Sequence, residues 1–175
     1  GLCMLGYFVN VAAAGLSLLT MLIYVLLYTP MKLRTTLNTL VGAVVGGIPP
    51  LIGWVAAGSP LTIGAWILAA LLFLWQLPHF LALAWMYRDD YKKAGFKMLP
   101  GVNGGEHITC EVVLLTTMLL VPLSITATMV GLTGVFYAAV AVCMGIAWTL
   151  LAFRFFKLRD RHNARRVFFA SLLYL

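Results

Sequence analysis

Of the 175 residues, 63% are hydrophobic and only 10% are charged, whereas a soluble domain carries about 45–50% apolar and about 25% charged residues. That imbalance excludes an ordinary soluble enzyme, a disordered chain and a secreted disulfide scaffold, and leaves an integral membrane protein whose apolar runs take lipid as solvent. The 12 Lys and Arg against 5 Asp and Glu give +7, but they sit in short connections between apolar runs. They therefore report orientation in a membrane, not binding of nucleic acid.

A membrane-spanning helix takes about 20 apolar residues. The first run is Leu2 to Tyr28, followed by a polar stretch from Thr29 to Thr39. The second, Leu40 to Ala57, is closed by Gly58, Ser59 and Pro60. The third, Leu61 to Tyr87, leads into a long polar loop from Arg88 to Cys110. The fourth, Val112 to Val130, turns tightly through Gly131 to Gly134 into the fifth, Val135 to Phe156. A charged stretch, Lys157 to Arg166, precedes Val167 to Leu175, the opening of a sixth. The runs are twice the length of a membrane strand and do not alternate, so strands are excluded. The expected fold is an all-α, polytopic transmembrane helix bundle of five full spans and the start of a sixth. The chain opens and closes inside apolar runs, so both ends read as cut. Cys3, Cys110 and Cys143 are far apart and odd in number, which argues against a disulfide framework or a zinc site.

All 12 basic residues fall in or beside the first, third and fifth connections, and the 5 acids lie there too. Those connections share a side only if each run crosses once, so the bias supports both span count and orientation. By the positive-inside rule, this side faces the cytoplasm or the mitochondrial matrix.

Polar residues within the spans mark places to look, because they are expensive in lipid. In the second span Asn38, Gly42, Gly46 and Pro50 recur every four residues and share one helical stripe. The glycines have the GxxxG spacing of close helix packing. Pro49 and Pro50 remove two backbone donors and predict a break. In the third span Gln76 and His79 share a face that continues through Leu83 and Tyr87 to Asp90, and Pro78 predicts a second kink. The loop that follows pairs Asp89 and Asp90 with Arg88, Lys92, Lys93 and Lys97. Such a set suits either a divalent cation with a polyanion or a plain solvated, lipid-facing loop. Gly101 to Gly105 reads as a mobile segment. The last basic run, Phe155 to Arg166, reads as an orientation signal or a docking patch for carboxylates or headgroups.

Three segments in order resemble one family. They are Tyr28-Thr29-Pro30-Met31-Lys32 with Asn38-Thr39, Gly42-Ala43, Gly46, Pro49-Pro50 and Gly53-Trp54; Trp75-Gln76-x-Pro78-His79-Phe80 with Asp89-Asp90-Tyr91 and Ala94-Gly95; and Ala164-Arg165-Arg166-x-Phe168-x-x-Ser171-Leu172. From about residue 24 to the end, the chain resembles the protohaem IX farnesyltransferases (haem O synthases), which are UbiA-type intramembrane prenyltransferases. The resemblance implies a single prenyltransferase domain over residues 1–175. Its six runs would be the fourth to ninth helices of a nine-helix fold, lacking the family's first Asn/Asp-rich loop, so the segment alone is expected to be inactive. It implies farnesyl diphosphate and haem B as substrates, haem O as product, and Mg2+ as the metal accompanying the diphosphate. It also implies residence in a mitochondrial inner membrane or bacterial plasma membrane, and leaves room for partners in haem A synthesis or oxidase assembly.

Carried over by residue, Asp89 and Asp90 would hold the metal or its waters. Lys93, Lys32 and Arg34 would hold diphosphate, with Arg88 and Lys92 beside them. Asn38 and His79 would face the substrate cavity, with His79 against haem. Two departures stand out: the second basic residue after Thr29-Pro30 is displaced to Arg34, and Asp89 is followed four residues on by Lys93 where the superfamily often has an acid. Two alternatives remain open, a UbiA-type prenyltransferase with another aromatic acceptor and a non-catalytic membrane carrier or haem-handling protein.

Overall fold

The computed structural model describes residues 1–175 and is predominantly helical, with no strand. In chain order the helices are α1 (Leu2–Phe8), α2 (Val11–Leu22), a π-helical turn (Ile23–Tyr28), α3 (Thr29–Arg34), α4 (Asn38–Gly47), α5 (Pro49–Ala56), α6 (Ile63–Met86), α7 (Arg88–Lys93), α8 (Gly105–Met129), α9 (Val135–Leu158) and α10 (Arg161–Tyr174). Five stretches have the length and composition to cross a membrane: Val11–Arg34, Asn38–Ala56, Ile63–Met86, Gly105–Met129 and Val135–Leu158. The protein is an integral membrane protein.

The first run is interrupted where the sequence reads as continuous. Asn10 adopts an extended backbone and caps α2, its Oδ1 accepting the Ala13 N–H at 2.8 Å. Its Nδ2 donates to the Val55 carbonyl at 2.7 Å, which ties the start of the first span to the end of the second. A short amide competes with the helical backbone for hydrogen bonds and so favours caps. Further on, Pro30 offers no N–H. The helix absorbs the missing donor in the π-turn, where both the N–H and the hydroxyl of Thr29 reach the Tyr24 carbonyl, the hydroxyl at 2.9 Å. The span therefore continues to Arg34 and carries Lys32 on helix, not on loop.

The second span breaks at Ile48, between α4 and α5, as its proline pair requires. The glycines of α4 divide their labour. A methyl on Gly47 would lie 3.1 Å from the Ala69 carbonyl, so Gly47 sets the close approach of α4 to α6. Gly42 and Gly46 instead seat side chains, Tyr28 and Gln76 respectively. The third span runs unbroken through Pro78.

The loop after the third span is shorter than its polarity predicts, because α7 and an early start of α8 fold much of it. Gly104 turns the chain with φ +74, a conformation suited to glycine. Gly105 is buried, and a Cβ there would collide with the Leu99 carbonyl and lie 2.8 Å from Val102. The Gly101–Gly105 segment is thus packed at its end, not free.

α10 likewise begins within the charged stretch, capped by Asp160, which accepts the Asn163 N–H and the Asn163 side-chain amide, both at 2.7 Å. The backbone bond from Asn163 is the main reason the Asp160 carboxyl is held below the usual carboxylate range, with the side-chain bond adding to it. A lowered folded-state pKa adds stability above the unfolded value of about 3.9, and that contribution disappears as pH falls through the folded value. Hydrogen exchange in the first turn of α10 should therefore stay slow at neutral pH and accelerate in acid. Asp160→Ala should abolish that pH dependence and cost about 1 kcal/mol, the usual worth of a cap.

The main core lies among α6, α8, α9 and α10, where Leu81, Trp85, Val113, Leu120, Trp148, Phe155 and Val167 are buried together. Polar bonds join the same helices. Trp75 Nε1 donates to the Ser171 carbonyl at 2.8 Å and Trp148 Nε1 to the Val167 carbonyl at 3.1 Å, bonds that hold helices together where lipid offers no hydrophobic drive. Large apolar residues such as Phe136 and Leu150 face outward, as a lipid-facing surface does. The three basic connections meet at one end. The Lys97 N–H donates to the Lys32 carbonyl at 2.9 Å, and a single cleft is lined by Arg88, Asp89, Arg159, Asp160 and Arg161.

Candidate functional site

At that end, α3, α4, α6 and the α7–α8 connection enclose a cavity of about 390 Å³. Its wall is largely apolar and aromatic: Tyr24, Tyr28, Phe80, Leu83, Tyr91 and Phe96 line it together with Val45 and Met98. Lys32 supplies its only ionised group, the ammonium lying 4.4 Å from the centre of the Tyr28 ring and 5.9 Å from that of Tyr24. Tyr24, Tyr28 and Lys32 are spaced by four residues, so helix geometry stacks them on one face. That spacing is present in the sequence and marks Tyr24 beside Tyr28, which the family motif already contains.

Asn38 lines the same cavity and is almost wholly buried. Its two amide protons go to the Thr35 carbonyl at 2.7 Å and the Lys97 carbonyl at 2.9 Å, clamping the third connection onto α4. Deeper in, Gln76 donates from Nε2 to the Leu72 carbonyl at 3.1 Å, which leaves Oε1 turned over Gly46 in the cavity wall.

His79 does not share this cavity. Its Nδ1 lies 2.7 Å from the Ser171 hydroxyl, and its ring is stacked between Trp75 at 4.8 Å and Phe168 at 4.7 Å, facing α10. The stripe drawn from Gln76 through His79 is therefore split between two neighbours of α6. Arg88 pairs with Glu106 at 2.6 Å. Asp89 lines the cleft shared with Arg159 and Arg161, whereas Tyr91, two residues on, faces the cavity. Asp90, Lys92, Lys93 and Arg34 are exposed at the same end and line neither hollow. No three His, Cys, Asp or Glu side chains converge as a ready-made metal cage. What comes together is a greasy cavity with one cation at its mouth and π-faces beside it. Such a shape suits an amphiphile with an anionic head, and aromatic faces favour positive charge.

The sequence model of the UbiA prenyltransferase family matches residues 1–173. The protoheme IX farnesyltransferase of Solibacter usitatus is 41% identical over 167 residues, covering 95% of this chain and 57% of that protein. The mitochondrial protoheme IX farnesyltransferases of Arabidopsis thaliana and Homo sapiens are 40% and 38% identical over the whole chain, which covers 41% and 39% of their lengths. The chain thus spans about half the length of the curated relatives it matches. No solved structure matches it. Its match over nearly the full length, on an all-helical membrane scaffold, means that the chain belongs to the UbiA prenyltransferase family.

Proposed function

We propose that the protein transfers a farnesyl group from farnesyl diphosphate to a vinyl group of haem B, giving haem O. The observation that carries this reading is the aromatic cavity with Lys32 at its mouth. An isoprenoid tail fits among Tyr24, Tyr28, Phe80 and Phe96, while the diphosphate meets Lys32, with Arg34, Lys92 and Lys93 exposed at the same end and Arg88 engaged by Glu106. Preorganised cations lower the cost of charge that builds on the departing diphosphate. A dry, aromatic wall shields the allylic cation from water until the vinyl carbon attacks; the positive charge then lies on the haem side chain, where water adds and gives up a proton, leaving a hydroxyl.

Mg2+ fits this chain as a partial site. Mg2+ is held by one or two carboxylates with phosphate oxygens and water. Asp89 and Asp90 are exposed, form no salt bridge, and diverge by about 100° as helix neighbours. They would hold the ion or its waters singly, and the bound ion would supply further charge neutralisation for the leaving diphosphate. Asp89→Asn and Asp90→Asn should each lower turnover about tenfold, an effect typical of residues supporting a metal. Restoration of the Asp90→Asn rate by excess Mg2+ would be the signature, read from a metal titration.

The basic connections would face the matrix of a mitochondrial inner membrane or the cytoplasm of a bacterial plasma membrane, where all 12 basic residues gather by the positive-inside rule. Partners in haem A synthesis or oxidase assembly would take the product. The test offers the intact protein farnesyl diphosphate with haem B and a quinone precursor in competition, and weighs the products by mass spectrometry. Farnesylated, hydrated haem is the expected product. A prenylated quinone precursor instead, or no transfer to either acceptor, would overturn the reading.

A further inference from the structure

On the far side of Leu83 lies a second hollow, of about 740 Å³, between the end of α6 and the start of α10. Its volume is within the range of about 300–1,000 Å³ typical of small-molecule sites. Tyr87, Arg161, His162, Arg165 and Phe168 line it, and no Asp or Glu does. Neither Arg161 nor Arg165 is engaged in an ion pair. The Arg165 guanidinium instead rests 5.4 Å from the centre of the Phe169 ring. Phe168 supplies an aromatic face to the wall, and its ring is backed on the other side by His79, stacked at 28°. Leu83 lines both hollows, so whatever fills one borders whatever fills the other.

Planar guanidinium forks match carboxylates in two-point contact, which point charges such as lysine do not. Two of them at the rim of an acid-free, aromatic hollow select a flat ring system carrying carboxylates. A reaction that joins two substrates also needs their reacting carbons within contact distance, and the one residue at which the two hollows adjoin is Leu83, past whose side chain the two substrates must meet. We infer that this second hollow is the acceptor site, resting on the proposed transfer to haem: Arg161 and Arg165 hold the two propionate carboxylates of haem B while the porphyrin lies against Phe168.

The test compares the intact protein with its Arg161→Gln/Arg165→Gln variant. Both arginines are exposed, so their removal leaves the core untouched. Haem B and haem dimethyl ester, whose propionates are masked, are titrated by absorbance in zwitterionic detergent. The variant should bind haem B about tenfold or more weakly, as expected for losing charge-assisted bonds at a wet rim. Its KM for haem should rise in parallel while its KM for farnesyl diphosphate stays put. The ester should bind both proteins equally and weakly. Equal haem B affinity in the two proteins would overturn the inference, as would an ester bound as tightly as haem B. So would a variant whose only defect is reduced retention on phosphatidylglycerol vesicles, which would make the patch a lipid-headgroup contact. Undiminished haem affinity with intact transfer sinks this inference alone. Propionate-dependent binding without transfer sinks the proposed reaction and leaves the binding site standing.

Discussion

Gly46→Ala should nearly abolish prenyl transfer and lower the thermal unfolding midpoint, and adding Gln76→Ala should restore the midpoint. A methyl on Gly46 would run into the Gln76 amide, and all three atoms of that amide lie under 3.0 Å from it. In a helix interior, alanine gains roughly 0.5–1 kcal/mol over glycine. The obstructing atoms are the end of a flexible side chain, so the amide swings aside, and the cost is that of stripping a largely buried amide of its partner, about 1–3 kcal/mol, which exceeds the gain. Moving outward into the cavity of about 390 Å³ breaks its bond to the Leu72 carbonyl and fills part of the space proposed for the isoprenoid. The paired substitution removes the amide, so the two changes should couple by about 1–2 kcal/mol. Gly53→Ala is the internal control, because nothing lies within 4 Å of a methyl there. It should leave stability unchanged or slightly raised. Thermal unfolding in detergent and turnover on the same samples decide the matter. Strict additivity of the Gly46 and Gln76 changes would mean that the amide does not fill the space assigned to it.

Lys32→Ala should raise the KM for farnesyl diphosphate about 10- to 100-fold with little change in haem affinity, the worth of one charge-assisted contact to phosphate. The ammonium is half-buried beside the Tyr28 ring and is the only ionised group in the cavity wall. Exposed Lys92 offers a comparison at the same end of the bundle. Lys92→Ala should move the same constant only a few-fold, because exposed charges are screened. Initial rates at varied diphosphate, with haem saturating, separate the two. If Lys92 mattered as much as Lys32, the diphosphate would sit outside the cavity mouth.

Much of this arrangement is legible in the residues themselves. Run lengths and the confinement of charge to alternate connections carry the span count, and the Pro49-Pro50 pair carries the break between α4 and α5. What periodicity does not carry is the identity of a helix's neighbours. Gln76 and His79 differ by about 60° around α6. α4 flanks the helix on one side and α10 on the other, so that small angle sends the amide to the cavity and the imidazole to Ser171. The position of Lys32 was hidden for another reason. A π-turn adds a residue to a turn and rotates all that follows, and its cause, Pro30 with the Thr29 hydroxyl, reads in sequence as the end of a helix. The early starts of α8 and α10 were masked by polarity, since their first turns carry charges that otherwise mark loops.

One amide fastens two parts of the cavity. Through Asn38, the strap bearing Tyr91, Phe96 and Met98 is buttoned to the wall formed by α4, and the neighbouring peptide of Lys97 is stitched to the Lys32 carbonyl. Roof and wall therefore cannot part independently. Undoing that button frees the ceiling of the cavity and the backbone beneath Lys32 in the same event, so for a prenyl diphosphate held as proposed, tail release and headgroup release would become a single motion.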